Sequence, residues 1–339
     1  MLPLEKYLQS VQGSGFPDDI DYFARYSLLK SDLAAGVYKE LPSISTLTDG
    51  SFYTHHGIDH VDDVIDYAGK LLGIENGFDP SSTQEKIRPY EAYMLLVSIL
   101  LHDTGMIYGR EGHENNIKRI VARLGSILGD DEPMKARIAS IAKAHSGKCE
   151  GKQVDTIGRL QLGDTVDYLG CVYRPKMIAA LVRFADEICE TKRRAARFCI
   201  SEGLVPKPNE AFHIYANCIN SSRPDLRDKS VTIAYEVKDQ YIVSAVGYGS
   251  SELFLVDMIR ERLDRMNLER KYYNRFVPLE LRIDKISALV EILDSEFSPL
   301  GVERYTAEDR GYPTSVDLLK HYPNFTSADF IAKYINRGE

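Results

Sequence analysis

The run Met94–Leu101, MLLVSILL, carries no charge and leads without a break into His102-Asp103. A segment of that composition must be buried, and it takes two titratable side chains in with it. Burying even a neutral polar group without a partner costs roughly 2–7 kcal/mol, so the fold has to bring other polar groups to this pair. Candidates are concentrated nearby: six of the eight histidines lie between His55 and His145, and Asp186 emerges from a second apolar run, LVRFADEICE. Imidazole and carboxylate form the mixed N/O set that suits first-row divalent metals, and one shared carboxylate can bridge two ions. The order His60, His102-Asp103, His113, His145, Asp186 therefore reads as a metal site. Any of these histidines alone would more often be structural; a His-Asp pair at the end of an apolar helix is not so easily dismissed.

The rest of the pattern divides near residue 200. Before it, the apolar spacing is helical. HVDDVIDYAGKLLG places His60, Val64, Tyr67, Ala68 and Leu71 on one stripe, with Asp62, Asp63 and Asp66 largely elsewhere. RPYEAYMLLVSILLHD predicts a buried helix with Pro89 near its start. HENNIKRIVARLGSIL, EPMKARIASIAKAHS and RPKMIAALVRFADEICETKRRAARF predict further helices, punctuated by Gly109, Gly112, Gly147, Gly151 and Gly170. Past about residue 205, AFHIYANCI, SVTIAYEV and YIVSAVGY have the alternating, β-branched character of strands, with VKDQY as a hairpin connection. A long helix, SELFLVDMIRERLDRMNLERKYYNRF, and a strand in LRIDKISALVEIL follow. The tail is interrupted by Pro299, Pro313 and Pro323 and ends in SADFIAKYINRG, a short helix. The expected fold is mainly α: a helical domain over residues 1–204, a smaller C-terminal α+β domain over 205–298, and a tail over 299–339.

The strings HHGIDHVDDV, LLHDTGMIYGREGHENN, AKAHSGK and LVRFADEICETKRRAA together resemble the HD-domain superfamily of metal-dependent phosphohydrolases over about residues 50–200. The likeness is closest to HD domains sometimes attached to chaperone-type ATPases. It implies an HD-type helical bundle with His60, His102, Asp103 and Asp186 as ligands of a divalent ion. It also implies that Asp103 bridges to a second ion held by His113 and His145. In a single-metal member those two histidines would instead meet substrate phosphate or serve as acid and base. His56 has the spacing of the histidine that protonates the leaving oxygen in cyclic-nucleotide phosphodiesterases of the superfamily. The implied reaction is hydrolysis of a phosphoester or phosphoanhydride, foremost of a nucleotide, by a metal-activated hydroxide; manganese, iron, nickel, cobalt and zinc all suit the ligands. Two alternatives belong to other classes. A single-strand nuclease would need a basic groove leading to the site, and a non-catalytic nucleotide-sensing module would be expected to have lost ligands that are intact here.

Arg110, Lys148 and Arg193 are candidate phosphate contacts, with Lys143 a weaker one. Arg193 lies seven residues after Asp186, on the same face if the helix continues that far. Glu114 is placed for an outer role beside His113, and Glu187 points about 100° away from Asp186. No GxSxG elbow is present, and His113-Glu114 is followed by Asn115, Asn116 and Ile117, which breaks the HExxH pattern. A net charge of −8 argues against a general duplex-binding surface. The five cysteines form no CxxC pair, no uncharged apolar run approaches 18 residues, and the first residues lack a signal-peptide pattern. A cytoplasmic enzyme is expected, with a nucleotide substrate, no membrane partner, nucleic acid not favoured, and homo-oligomerisation open.

Overall fold

The computed structural model describes residues 1–41, 56–149, 152–309 and 318–335. The chain forms two compact units. One draws on Met1–Asp49, His56–Glu187 and Tyr272–Arg282, the other on Ile188–Lys271 and Ile283–Glu339. The architecture is mainly α with a smaller α+β part, as the hydrophobic periods predict.

The first unit is built around helix α6 (Pro89–Leu101), every residue of which is buried. α1 (Pro3–Ser10), α2 (Tyr22–Ala35), α4 (Ile58–Leu71) and α8 (Glu132–Lys143) all pack on it. A short helix α3 (37–41) adds Tyr38, whose hydroxyl donates to the Leu100 carbonyl at 2.8 Å. α5 (Pro80–Lys86) and α7 (Ile117–Leu124) complete the helices that precede α9 (Pro175–Ile188). Each fully buried Leu or Ile of α6 contributes about 1.5–3 kcal/mol, so this helix anchors the unit. Its N-terminus is fixed by Glu91, which accepts from the Arg88 amide at 2.9 Å and from the Arg174 guanidinium at 2.8 and 2.7 Å. Glu5 ties α1 to α2 by accepting from Tyr26 and Lys30, both at 2.7 Å, and Lys30 also reaches Asp62 on α4. On α4 the expected stripe is buried, but so are Asp63, Val61 and Ile65, so the buried face is broader than the periodicity predicts. Two short hairpins, β1–β2 (Lys148–Cys149 with Lys152–Gln153) and β3–β4 (Val166–Tyr168 with Cys171–Tyr173), lie between α8 and α9.

The second unit contains α10 (Arg197–Ser201), α11 (Glu210–Cys218) and a four-stranded sheet. Its strands are β5 (Ile219–Asp225), β6 (Ser230–Lys238), β9 (Lys285–Leu293) and β10 (Pro299–Glu308), in the order β10-β9-β6-β5. β6 and β9 run parallel, with Ile233 opposite Ala288. A parallel pair needs a long crossover, and here it carries α12 (Gln240–Val243), the hairpin β7–β8 (Val246–Tyr248 with Ser251–Leu253) and the long helix α13 (Leu255–Tyr273). α14 (Leu318–His321) and α15 (Ser327–Phe330) follow the sheet.

Several local expectations are corrected. AFHIYANCI is helix α11, not a strand: Ala211, Ile214, Tyr215 and Cys218 are buried at spacings of three and four, a stripe that the same letters hide behind a strand-like alternation. YIVSAVGY splits into α12 and β7, so VKDQY ends β6 and enters a helix instead of turning a hairpin. Pro299 opens β10, a strand absent from the sequence reading; at the first position of an edge strand the missing amide donor costs nothing. α9 stops at Ile188 because the chain turns to bury Glu190, which accepts from Arg262.

Candidate metal centre

α6 delivers His102 at its C-terminal cap and Asp103 immediately after it, both buried. The chain then closes a tight turn, Thr104–Tyr108, in which the Thr104 hydroxyl donates to the Leu101 carbonyl at 2.7 Å. A Cβ on Gly105 would stand 1.9 Å from the His113 carbonyl oxygen, so this glycine is what lets the His113 segment close against the turn. Gly112, at φ +65°, sets the entry into His113. His60 lies in the first turn of α4, Asp186 near the end of α9, and His145 two residues beyond α8.

These elements converge. His60 Nε2 is 3.1 Å from Asp186 Oδ1 and 3.9 Å from Asp103 Oδ2. His102 Nε2 stands 3.4 Å from Asp103 Oδ2 and 3.8 Å from Asp186 Oδ1. On the other side, His113 Nε2 and His145 Nε2 are 3.4 and 3.7 Å from Asp103 Oδ1. The two oxygens of Asp103 thus serve different donor groups: Oδ2 faces His60 and His102, Oδ1 faces His113 and His145. His56 Nδ1 meets Oδ2 as well, at 3.0 Å. Among the described residues, three sets have donor atoms close enough to hold an ion: His60, His102 and Asp186; Asp103, His113 and His145; and His56, His60 and Asp103.

The HD-CE family model matches residues 46–265, which span every one of these residues. The chain belongs to the HD-CE family. No curated protein and no solved structure matches it. The expected HD kinship is therefore established at the level of the family.

The hydrogen bonds of this HD-CE centre settle how its histidines are oriented. His102, His113 and His145 each donate Nδ1–H to the carbonyl three residues earlier: Ile99 at 2.7 Å, Arg110 at 3.0 Å and Ala142 at 2.7 Å. In the neutral ring that leaves each Nε2 as a lone pair aimed at the centre. Among the described residues, the buried His102 Nε2 finds no hydrogen-bond partner. His113 Nε2 and His145 Nε2 face each other at 3.1 Å. Two neutral lone pairs cannot stably oppose one another, so the pair requires a cation between or beside them, a proton or a metal ion. The donor set, its orientation and this unsatisfied geometry all fit a divalent metal.

The charge balance agrees. Burial opposes protonation of His102, but Asp103 and Asp186 outweigh it and lift the imidazole to about 9. His113 is raised too, against burial, by Asp103 and by the Arg110 carbonyl. His145 is pushed down to about 4 by burial and by the charge of His102 and His113. Burial alone would raise Asp103, yet His102, His113 and His56 hold it well below the usual carboxylate range; His60 and His102 do the same for Asp186. Without a metal, His113 thus carries the proton and His145 accepts it.

The candidate phosphate contacts are less concentrated. Arg110 has an exposed side chain on the loop before His113, and its backbone carbonyl orients that histidine. The side chains of Lys148 and His55 lie outside the described residues. Arg193 sits in a separate turn, Lys192–Arg194, beyond the end of α9, so the shared helical face with Asp186 does not exist. Glu114 is buried with Oε2 3.8 Å from His113 Nδ1, compatible with an outer role. The sequence reading missed Gly105, although HDTG contains it, and missed the three carbonyls that set the imidazoles, which no side-chain pattern reveals.

Proposed function

We propose that the chain is a metal-dependent phosphohydrolase that cleaves a phosphoester or phosphoanhydride, foremost of a nucleotide. One observation carries this reading: Asp103 divides its two oxygens between two histidine groups, as a bridging carboxylate would. His60, His102, Asp103 and Asp186 would hold one divalent ion, and Asp103, His113 and His145 a second. Bound there, such ions would supply Lewis acidity for phosphoryl oxygens and lower the pKa of water from 15.7 towards about 7.

The chain's own residues divide the remaining work. Asp103, Asp186 and the three carbonyl-tethered imidazoles form a fixed, largely buried ligand cup, so the divalent ions it would hold need little reorganisation as negative charge develops on the phosphoryl oxygens. His56, half-buried and hydrogen-bonded to Asp103, stands at the edge of that cup and would hold the proton destined for the leaving oxygen. Arg110, exposed beside His113, is assigned to the substrate phosphate. The free thiols of Cys171, Cys199 and Cys218 suit a reducing, cytoplasmic setting, and among the described residues no single helix is long and apolar enough to cross a membrane. Kinship with HD domains that accompany chaperone-type ATPases belongs to the same proposal.

The test is the metal content of wild type and Asp103→Ala, purified without a chelating tag, followed by a hydrolysis screen of mono-, cyclic and oligonucleotides. Two ions per chain, lost in the variant, with turnover of a nucleotide, are expected. One ion would transfer His113 and His145 to substrate-side roles. No ion after supplementation with manganese or iron would overturn the enzymatic reading.

A further inference from the structure

His145 has a positional problem. α8 ends at Lys143; its Ala142 carbonyl sets the tilt of the ring, but the ring's place also depends on the 144–147 turn, since Nε2 lies 3.1 Å from His113 and 3.7 Å from Asp103. The amides of residues 144–146 bond back to the helix end, and the carbonyls of the turn are held from outside it.

The turn is gripped at each step. Thr156 Oγ1 donates to the Ala144 carbonyl at 3.1 Å, one residue before His145. Arg183 Nη1 donates to Thr156 Oγ1 at 3.0 Å and makes a longer contact, 3.5 Å, with the Ser146 carbonyl, one residue after His145. The Gly147 carbonyl accepts from the Val154 amide at 3.1 Å. Gly147 also makes room for the clamp, since a Cβ there would meet Arg183 Nη2 at 2.8 Å. The guanidinium is itself braced by the Tyr272 ring, 4.6 Å from its centroid. Tyr272 is locked in turn: its hydroxyl donates to Asp155 at 2.5 Å and accepts from the Ile157 amide at 2.9 Å. Asp155 also takes a salt bridge from Arg275 at 3.1 Å.

Arg183 stands three residues before Asp186 on α9, so the two are neighbours on that helix. One helix therefore fixes a carboxylate on one side of the centre and the guanidinium that holds the histidine on the other.

We infer that Arg183, acting through Thr156 and braced by Tyr272, is a positioning residue that sets the His145 imidazole against His113 and Asp103. The inference rests on the two-ion reading proposed above. Arg183 touches neither ion nor substrate in this role; it determines whether His145 presents its lone pair where a second ion would sit.

Titration of the metal-free full-length chain with Mn²⁺, followed calorimetrically, resolves the roles. Wild type is expected to bind two ions with separable affinities. Arg183→Gln and Thr156→Val should weaken one of them by roughly 10–100-fold, the usual effect of removing an outer partner of a ligand, and leave the other within about 2-fold. Thr156→Ser, which keeps the hydroxyl, should restore the lost affinity; should Arg183→Gln not fold, the Thr156 pair decides alone. Equal loss at both sites, or no loss at either, overturns the clamp. A wild type that binds one ion or none overturns the two-ion reading itself, and the clamp with it.

Discussion

Gly105 and His113 lie so close that a methyl group on the glycine would stand 1.9 Å from the histidine's carbonyl oxygen. The contact is backbone against side-chain space, so no rotamer change can relieve it. Gly105→Ala should therefore push the His113 segment away from Asp103 and cost about 1–3 kcal/mol, the usual range for overpacking. Thermal denaturation should show a lower midpoint, and added Mn²⁺ should raise that midpoint less than in wild type. An unchanged midpoint would mean that the turn and the His113 segment separate freely.

The buried Glu91–Arg174 pair predicts a stability effect remote from the centre. Glu91 is fully buried and holds the Arg88 and Arg174 amides as well as the guanidinium, so Glu91→Ala removes the acceptor of four donors at once. Breaking such a pair from one side costs about 3–5 kcal/mol; the partly solvated Arg174 places the expected loss near the lower bound. Urea denaturation of the two proteins measures it directly, and a loss under about 1 kcal/mol would show that the α6 N-terminus does not depend on this carboxylate.

Protonation predicts opposite pH trends in the metal-free and metal-loaded forms. His102, raised to about 9, stabilises the metal-free fold fully below its unfolded value near 6.5 and loses that contribution as pH rises through 9. His145, lowered to about 4, remains neutral in the fold where the unfolded chain takes up a proton, so its contribution falls away as pH drops from about 6.5 to 4. The metal-free chain should thus be most stable near pH 6.5. Metal binding requires free Nε2 lone pairs, so metal affinity should instead keep rising with pH through about 9, with protons released on binding. Chelator-treated and Mn²⁺-loaded samples melted between pH 5 and 9.5 would show the two curves diverging; parallel curves would contradict the assigned tautomers.

How far these features were legible depends on what kind of information holds them. The uncharged run of α6 has one physical solution, burial, and it brings His102 and Asp103 to the core as the letters predict. The convergence of His60, His113, His145 and Asp186 follows from ligand chemistry and family likeness, which do not depend on exact element boundaries. AFHIYANCI fails because two periods fit nine residues, and only the neighbours of α11 choose between them. The continuous helix expected from Asp186 to Arg193 fails because a helix end is set by tertiary contacts, here those of Glu190, which the local run KRRAAR does not encode. The carbonyls of Ile99, Arg110 and Ala142 were invisible for a further reason: every residue has one, and only folded geometry singles them out.

His56 separates chemistry from metal binding. It approaches Asp103 Oδ2, the oxygen that faces His60 and His102, at 3.0 Å, and it is half-buried. If it holds the proton for the leaving oxygen, His56→Ala should leave the metal content at the wild-type value and lower kcat by about 10²–10⁴-fold, the range general acids supply. KM should change little, because a proton delivered only as the bond breaks contributes nothing to ground-state binding. The loss should also shrink for a substrate whose leaving group departs without protonation, such as a nitrophenyl phosphate. A variant that loses an ion, or is equally impaired on both substrates, would place His56 among the ligands instead.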